Sequence, residues 1–320
     1  MLAGYVSANR VDLARVNRQA SVVSLYEESR FVSRDYKSLE SILSLYLKRQ
    51  KPEISTICFG VAGPVIGDEV RPTNLSWRII GEELRQQFGF KYVTLINDIV
   101  ATAHGLAHLG ADDFFALNHG HGSRTGNMGL IAASSGLGEA IIYNNGGPPV
   151  PQASEGGHAD FAPGSQLEAE LWEYVYADKG YVEAEDIVSW TGLELIYNFL
   201  TETQGMHRSE WFDSAQYRAS AVIEQALSGQ DETANRALEI FIDCYASEAA
   251  NLALKGMTLG GIYVGGQIAP RILTALDQGR FMQRFVKPGK MESLLADIPV
   301  RVIIEDRAAL IGAAAIARGL

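Results

Sequence analysis

The chain has 320 residues, of which 47% are apolar and 20% charged, so it suits a globular protein with two domains of about 100–200 residues each rather than one ordinary core. Its net charge of −11 and pI near 5.1 argue against nucleic acid or an anionic membrane as partner, since both demand a basic surface. Two cysteines in apolar surroundings, Cys58 and Cys244, read as buried thiols, and with no basic leader and no run of about 20 apolar residues a cytoplasmic location is expected.

In chain order, residues 2–6, 11–16 and 20–26 read as three strands with short turns. A helix follows over 38–49, with Leu39, Ile42, Leu43 and Leu47 on one side and Ser38 as its cap. Residues 54–62 form a buried strand that runs into Gly63-Pro64, and Gly67-Asp68 turns a hairpin. Thr73-Asn74-x-x-Trp77 leads into a helix near 80–88. The aliphatic run Val93–Ile96 is then a buried parallel strand, and residues 99–109 have helical spacing.

Asn97 and Asp98 therefore sit where a strand ends and a helix begins, the edge at which open α/β sheets bind small ligands and where helical N–H groups are free. An amide beside a carboxylate there can orient a hydroxyl and remove its proton. The same two residues also suit a plain turn at Asn97 and a helix cap at Asp98.

The second half restarts the pattern. Strands are expected over 127–133 and 139–143, around Ser134-Ser-Gly-Leu-Gly138. A Gly- and Pro-rich loop over 144–164 is long enough to be functional. Helices are expected over 166–178, 183–188, 192–203, 214–228 and 232–256, strands over 260–266 and 299–304, and a last helix over 307–318. These readings give domains of 1–110 and 111–305, with the helix in 306–320 packing back on the first.

Four separated motifs remain: Thr73-Asn74-x-x-Trp77, Ile96-Asn97-Asp98, Ser154-Glu155-Gly156-Gly157-His158-x-Asp160-Phe161, and the acidic helix start Glu183-Ala-Glu185-Asp186. With Gly260-Gly-Ile-Tyr-Val-Gly-Gly-Gln-Ile-Ala-Pro-Arg271, they resemble the bacterial glucokinases from about Ile57 to the C-terminus. The resemblance implies an α/β, two-domain actin-like ATPase (ribonuclease H-like) fold with an interdomain cleft. It further implies transfer of the terminal phosphate of ATP, carried with Mg²⁺, to the 6-hydroxyl of glucose.

Under it Asp98 is the catalytic base, and Asn74, Asn97, Asp98, Glu155, Gly157, His158 and Glu185 line the sugar site. Carboxylates and amides suit a ring of hydroxyls, each of which both donates and accepts. Trp77 reads as packing rather than a sugar platform.

On the nucleotide side the resemblance points to Ser7, Asn9, Arg10, Ser135, Gly136, Gly138, Gly265 and Gly266, with no metal bound by side chains. Here the chain departs from the family. Tyr5-Val-Ser-Ala-Asn-Arg10 stands where the family has Asp-x-Gly-Gly-Thr-Lys, and the second loop, Ala132-Ala133-Ser134-Ser135-Gly136-Leu137-Gly138, keeps only its last two glycines. That departure keeps a second reading in play, a glucokinase-like sugar-binding or sensor protein with impaired catalysis. Homodimer formation stays open.

Overall fold

The computed structural model describes every residue except 18–21, 49–53, 74, 124, 288 and 320. It divides into two compact units, Met1–Ala111 with Glu305–Leu320, and Asp112–Ile304. The first contains β1 (Leu2–Val6), β2 (Arg10–Val16), β3 (Leu25–Val32), α1 (Leu39–Lys48), β4 (Thr56–Val61), β5 (Val65–Ile66), β6 (Glu69–Val70), β7 (Ile79–Ile80), α2 (Gly81–Phe88), β8 (Tyr92–Asn97) and α3 (Asp98–Gly105), and takes in the C-terminal helix Ala308–Gly319. Its main sheet has the order β3-β2-β1-β4-β8, antiparallel through the first three strands and parallel through the last three. A small sheet, β5-β6-β7, stands apart.

Strand alternation gives the main sheet two buried faces. Leu2, Val6, Leu13 and Phe59 pack with Ile42, Leu43 and Tyr46 of α1 and with Trp77, so Trp77 is core and 6% exposed. Ala3, Ala14 and Cys58 pack on Leu310, Ala313, Ala314 and Ala317 of the C-terminal helix, with Tyr5 and Ile96 at the margin. Each fully buried Leu or Ile contributes about 1.5–3 kcal/mol, so both faces hold the strand ends firmly.

The second unit contains β9 (Phe114–Ala116), β10 (Met128–Ala133), β11 (Leu137–Tyr143), β12 (Val150–Ser154), α4 (Gln166–Lys179), α5 (Ala184–Ile187), α6 (Trp190–Glu202), α7 (Glu210–Ser214), α8 (Arg218–Leu227), α9 (Glu232–Gly256), β13 (Gly261–Gly266), α10 (Leu273–Leu276), α11 (Arg280–Phe285), α12 (Glu292–Asp297) and β14 (Val300–Ile303). Its sheet runs β12-β11-β10-β13-β14-β9. The two sheets share one plan, a three-stranded antiparallel meander followed by two parallel strands, with β9 added antiparallel at the edge of the second. The long helix α9 lies at the centre of the second core through Phe241, Cys244, Tyr245 and Ala249.

Several elements differ from the sequence reading. The third strand is Leu25–Val32 rather than 20–26, of which 20 and 21 lie outside the described residues. It is an edge strand with mostly exposed side chains, so it carries no buried alternation to read. The loop over 144–164 contains β12 and a 3₁₀ turn at Gly156–His158. The helix expected over 214–228 breaks between α7 and α8. Strand β9 and the short helices α10 to α12 had no counterpart in the sequence reading. Both cysteines are free and buried, and burial pushes the Cys58 thiol up to about 12. No helix among the described residues is long and apolar enough to cross a membrane.

Candidate active site

At the junction of β8 and α3, Asn97 is the N-cap. Its Oδ1 accepts from the backbone N–H groups of Ile99 at 2.9 Å and Val100 at 3.3 Å, and its Nδ2 donates to the Gly63 carbonyl at 3.1 Å. These bonds satisfy helix-start donors that β8 cannot reach. The plain reading gives the cap to Asp98 and the turn to Asn97; in the structure the cap falls to Asn97. Asp98 is the first helical residue, and its Oδ1 lies 3.0 Å from the N–H of Ile99. The helix N-terminus favours negative charge there. Asn74, the other amide expected in this unit, lies outside the described residues.

Tyr5 sits in register between Asp12 of β2 and Gly60 of β4, all three on one sheet face. Burial, followed by the charge of Asp98, pushes its phenol up to about 12. The turn after it is not strained, because Ser7 and Ala8, which stand where the family has glycine, are not among the residues at positive φ, and neither is Asn9. Ser7 is buried, and its hydroxyl is turned inward, donating to the Arg10 carbonyl at 3.2 Å. Asn9 is exposed.

Arg10 is occupied by carboxylates. Its Nε lies 2.9 Å from Asp12 in an ion pair, although the N–H is not aligned for a hydrogen bond; its Nη1 lies 3.3 Å from Asp306, and its Nη2 donates to the Asp306 carbonyl at 2.8 Å. Arg30 bridges the same two carboxylates at 2.7 and 2.9 Å. Asp12, Arg30 and Asp306 were not anticipated from the sequence, because their approach depends on strand register and on the return of the C-terminal helix.

In the second unit the loop after β10 is a hub. The N–H of Ser134 donates to the Gly136 carbonyl at 2.8 Å, closing a tight turn. Leu137 N–H donates to Glu185 Oε2 at 2.8 Å, and that carboxylate fills the place a Cβ on Gly136 would need. A Cβ on Gly157 would likewise meet the Leu137 carbonyl. Ser134 Oγ accepts from the N–H of Gln267 at 3.0 Å, and Gly266, at φ +83°, lies directly against Ala133. The structure therefore brings Ser135, Gly136, Gly138, Gly265 and Gly266 together with Glu185 and Gly157. A cavity of about 830 Å³ has Ser135 and Glu185 in its wall.

His158 is fixed from below. The segment around Asp160 pairs with Glu183 in a strand-like bridge, with Phe161 N–H donating to Val182 and Ala184 N–H to Ala159. That pairing sets His158 Nδ1 at 2.9 Å from Glu183 and Nε2 at 4.0 Å from Glu155. The Glu183 hydrogen bond, with the charges of Glu185, Glu183 and Glu155, raises the imidazole above its ordinary range. Glu183 also forms a capping box with Asp186 at the start of α5.

Sequence reasoning quoted Glu183 in the acidic motif and assigned it no role; its signal was the even spacing to Glu185. Among the described residues no group of three or more His, Cys, Asp or Glu is arranged to hold a metal ion.

The glucokinase family model matches residues 2–320. A glucokinase of Synechocystis sp. is 38% identical over 278 residues, covering 82% of this chain and 78% of its own, and one of Nostoc sp. is 33% identical over 336 residues, covering 98% and 97%. The crystal structure of a glucokinase from an Antarctic psychrotroph superimposes with a TM-score of 0.85 at 27% identity, covering 100% of this chain and 98% of that one, so the fold is that of the actin-like ATPase sugar kinases. With a match that spans both units and both loop motifs, the chain belongs to the glucokinase family.

Proposed function

We propose that the protein transfers the terminal phosphate of ATP to the 6-hydroxyl of glucose, in the cytoplasm. The observation that carries this reading is the contact of the hexose motifs with the second glycine loop: Glu185 holds Leu137 N–H at 2.8 Å while Gly157 covers the Leu137 carbonyl. That contact supports reading Glu185 as a sugar ligand and the adjoining backbone as facing phosphate.

Glu155, His158 and Glu185 bind the sugar hydroxyls, the carboxylates accepting and the imidazole donating. Backbone N–H groups at Ser135, Gly136, Gly138, Gly265 and Gly266 approach the phosphates closely because few side chains intervene. Mg²⁺ travels with the nucleotide and neutralises phosphate charge when bound. Asp98 takes the proton of the 6-hydroxyl as that oxygen forms its bond to the terminal phosphorus. The bond from that phosphorus to the bridging oxygen breaks, and its electron pair leaves with ADP. General-base help of this kind is worth about 10²–10⁴ in rate. Asn97 acts through its cap, which fixes where Asp98 stands.

A coupled assay with ATP, Mg²⁺ and glucose tests the reading. Product formation well above sugar-free ATP hydrolysis supports it, and turnover at background removes it. A second reading, sugar binding with slow transfer, is favoured by Tyr5 in place of the family's acid and by the engagement of Arg10 with Asp12 and Asp306. Tyr5→Asp separates the two: a gain in kcat of about a hundredfold, the worth of one group stabilising the transferring phosphoryl, marks the wild type as impaired, and no gain marks it as fully active.

A further inference from the structure

Glu139 lies on β11, two residues beyond Leu137, with only 4% of its surface exposed. It is in register with Ile131 of β10 and Ser154 of β12, and its Oε2 occupies the space that a Cβ on Gly156 would fill. Gly156 also donates its N–H to the Ser154 hydroxyl at 3.2 Å. The carboxylate therefore sits beneath the turn that carries Glu155 and His158. Its other oxygen, Oε1, is buried without a hydrogen-bond partner among the described residues, and so is Oε1 of Glu248.

Three groups of α9 bear on it. Glu248 is 6% exposed and adds negative charge, Lys255 lies 3.8 Å from Glu248 and offsets part of it, and the Tyr245 hydroxyl is engaged with backbone, accepting from the Ala133 N–H and sharing its proton between the Ile131 and Gly265 carbonyls. Above the turn stand Glu155, His158 and Glu183. An ionised carboxylate left with a bare oxygen in such surroundings is disfavoured, and a second carboxylate adds repulsion. Burial, then Glu248, push Glu139 up to about 7, with Lys255 acting in the opposite direction.

We propose that Glu139 is a positioning residue for the hexose loop, its neutral carboxylic acid seating Gly156 and so setting where Glu155 and His158 meet the sugar. The inference rests on the reading of Glu155 and His158 as hexose ligands. On ionisation the carboxylate is driven away from Glu248 and toward water, and the Gly156 turn packs directly against it. The loop loses its seat and the sugar its aligned partners, while the nucleotide contacts on the far side of the hub keep theirs.

The test is the KM for glucose and the KM for ATP as functions of pH, in wild type, Glu139→Gln and Glu139→Ala. In wild type the KM for glucose rises through neutrality by about tenfold, the worth of one well-formed hydrogen bond to the sugar, while the KM for ATP does not follow it. Glutamine keeps the volume and stays neutral, so that variant loses this rise; any part due to His158 remains in both proteins and cancels in the comparison. Alanine leaves a void beneath Gly156, and its KM for glucose is raised at every pH. Should the alanine variant fail to fold, the glutamine variant alone decides.

Identical pH profiles in wild type and Glu139→Gln overturn the proposal. Glu155→Gln serves as the control: if it leaves the KM for glucose unchanged, the hexose reading of the loop is wrong. If it raises that KM while the pH profile of Glu139→Gln matches that of wild type, only the role of Glu139 falls.

Discussion

Replacing Glu139 by glutamine is expected to change how stability depends on pH, and the size of the change follows from burial. The folded chain holds a proton on Glu139 up to about 7, whereas the ordinary carboxyl loses it at 4.5. Between those values the folded state binds more protons than the unfolded one, so stability falls as pH rises and levels off above the folded value. The full difference corresponds to about 3 kcal/mol, and between about pH 5 and about pH 8 to roughly 2–3 kcal/mol. Glutamine has no proton to lose. Any constant penalty from its amide appears at both pH values and drops out of the difference.

Thermal unfolding of both proteins at the two pH values measures this. Relative to wild type, Glu139→Gln should gain roughly 5 °C in Tm on going from the acid to the alkaline condition, since about 1 kcal/mol moves a chain of this size by about 2 °C. An equal Tm difference at both pH values would refute the reasoning, because it would mean that Glu139 is ionised in the fold or sees water.

Three further outcomes are expected. Asn97→Ala removes acceptors for two helical N–H groups and the bond to Gly63; it should lose about 1–2 kcal/mol of stability in thermal unfolding and lower kcat more than it raises the KM for glucose. Glu183→Gln removes the bond that holds the His158 proton, so the His158 titration followed by NMR should move to lower pH; an unmoved titration would show that the pair is not formed in solution. Asp306→Ala releases one partner of Arg10 at an exposed position and should change stability by less than about 1 kcal/mol. It should lower the KM for ATP if Arg10 reaches phosphate, and an unchanged value would remove Arg10 from the nucleotide site.

Where local chemistry and apolar pattern agree, the fold was readable from the sequence. Val93–Ile96 followed by Asn97-Asp98 gives a buried strand and a capped helix, and both are there. The edge strands β3 and β12 were not, because one shows mainly exposed side chains and the other alternates around Pro151 within a Gly/Pro-rich stretch.

Glu155 and His158 could be picked out because a short motif carries them. Their supports could not, since Glu139 and Glu183 lie 17 and 25 residues away in sequence from Gly156 and His158, the loop residues they hold. Strand pairing and the bridge at Asp160 bring them close. The hydroxyl of Ser7 and the guanidinium of Arg10 read as phosphate ligands in a linear chain, and in the fold they face their own hairpin and the carboxylates of Asp12 and Asp306.

Removal of the 6-hydroxyl proton by Asp98 is tested by Asp98→Asn, with phosphoryl transfer and glucose binding measured on the same preparation. The expected result is a loss of about 10²–10⁴ in kcat with the calorimetric Kd for glucose nearly unchanged. Equal loss of transfer and binding would make Asp98 a structural part of the helix start, and retained transfer would remove it as the base.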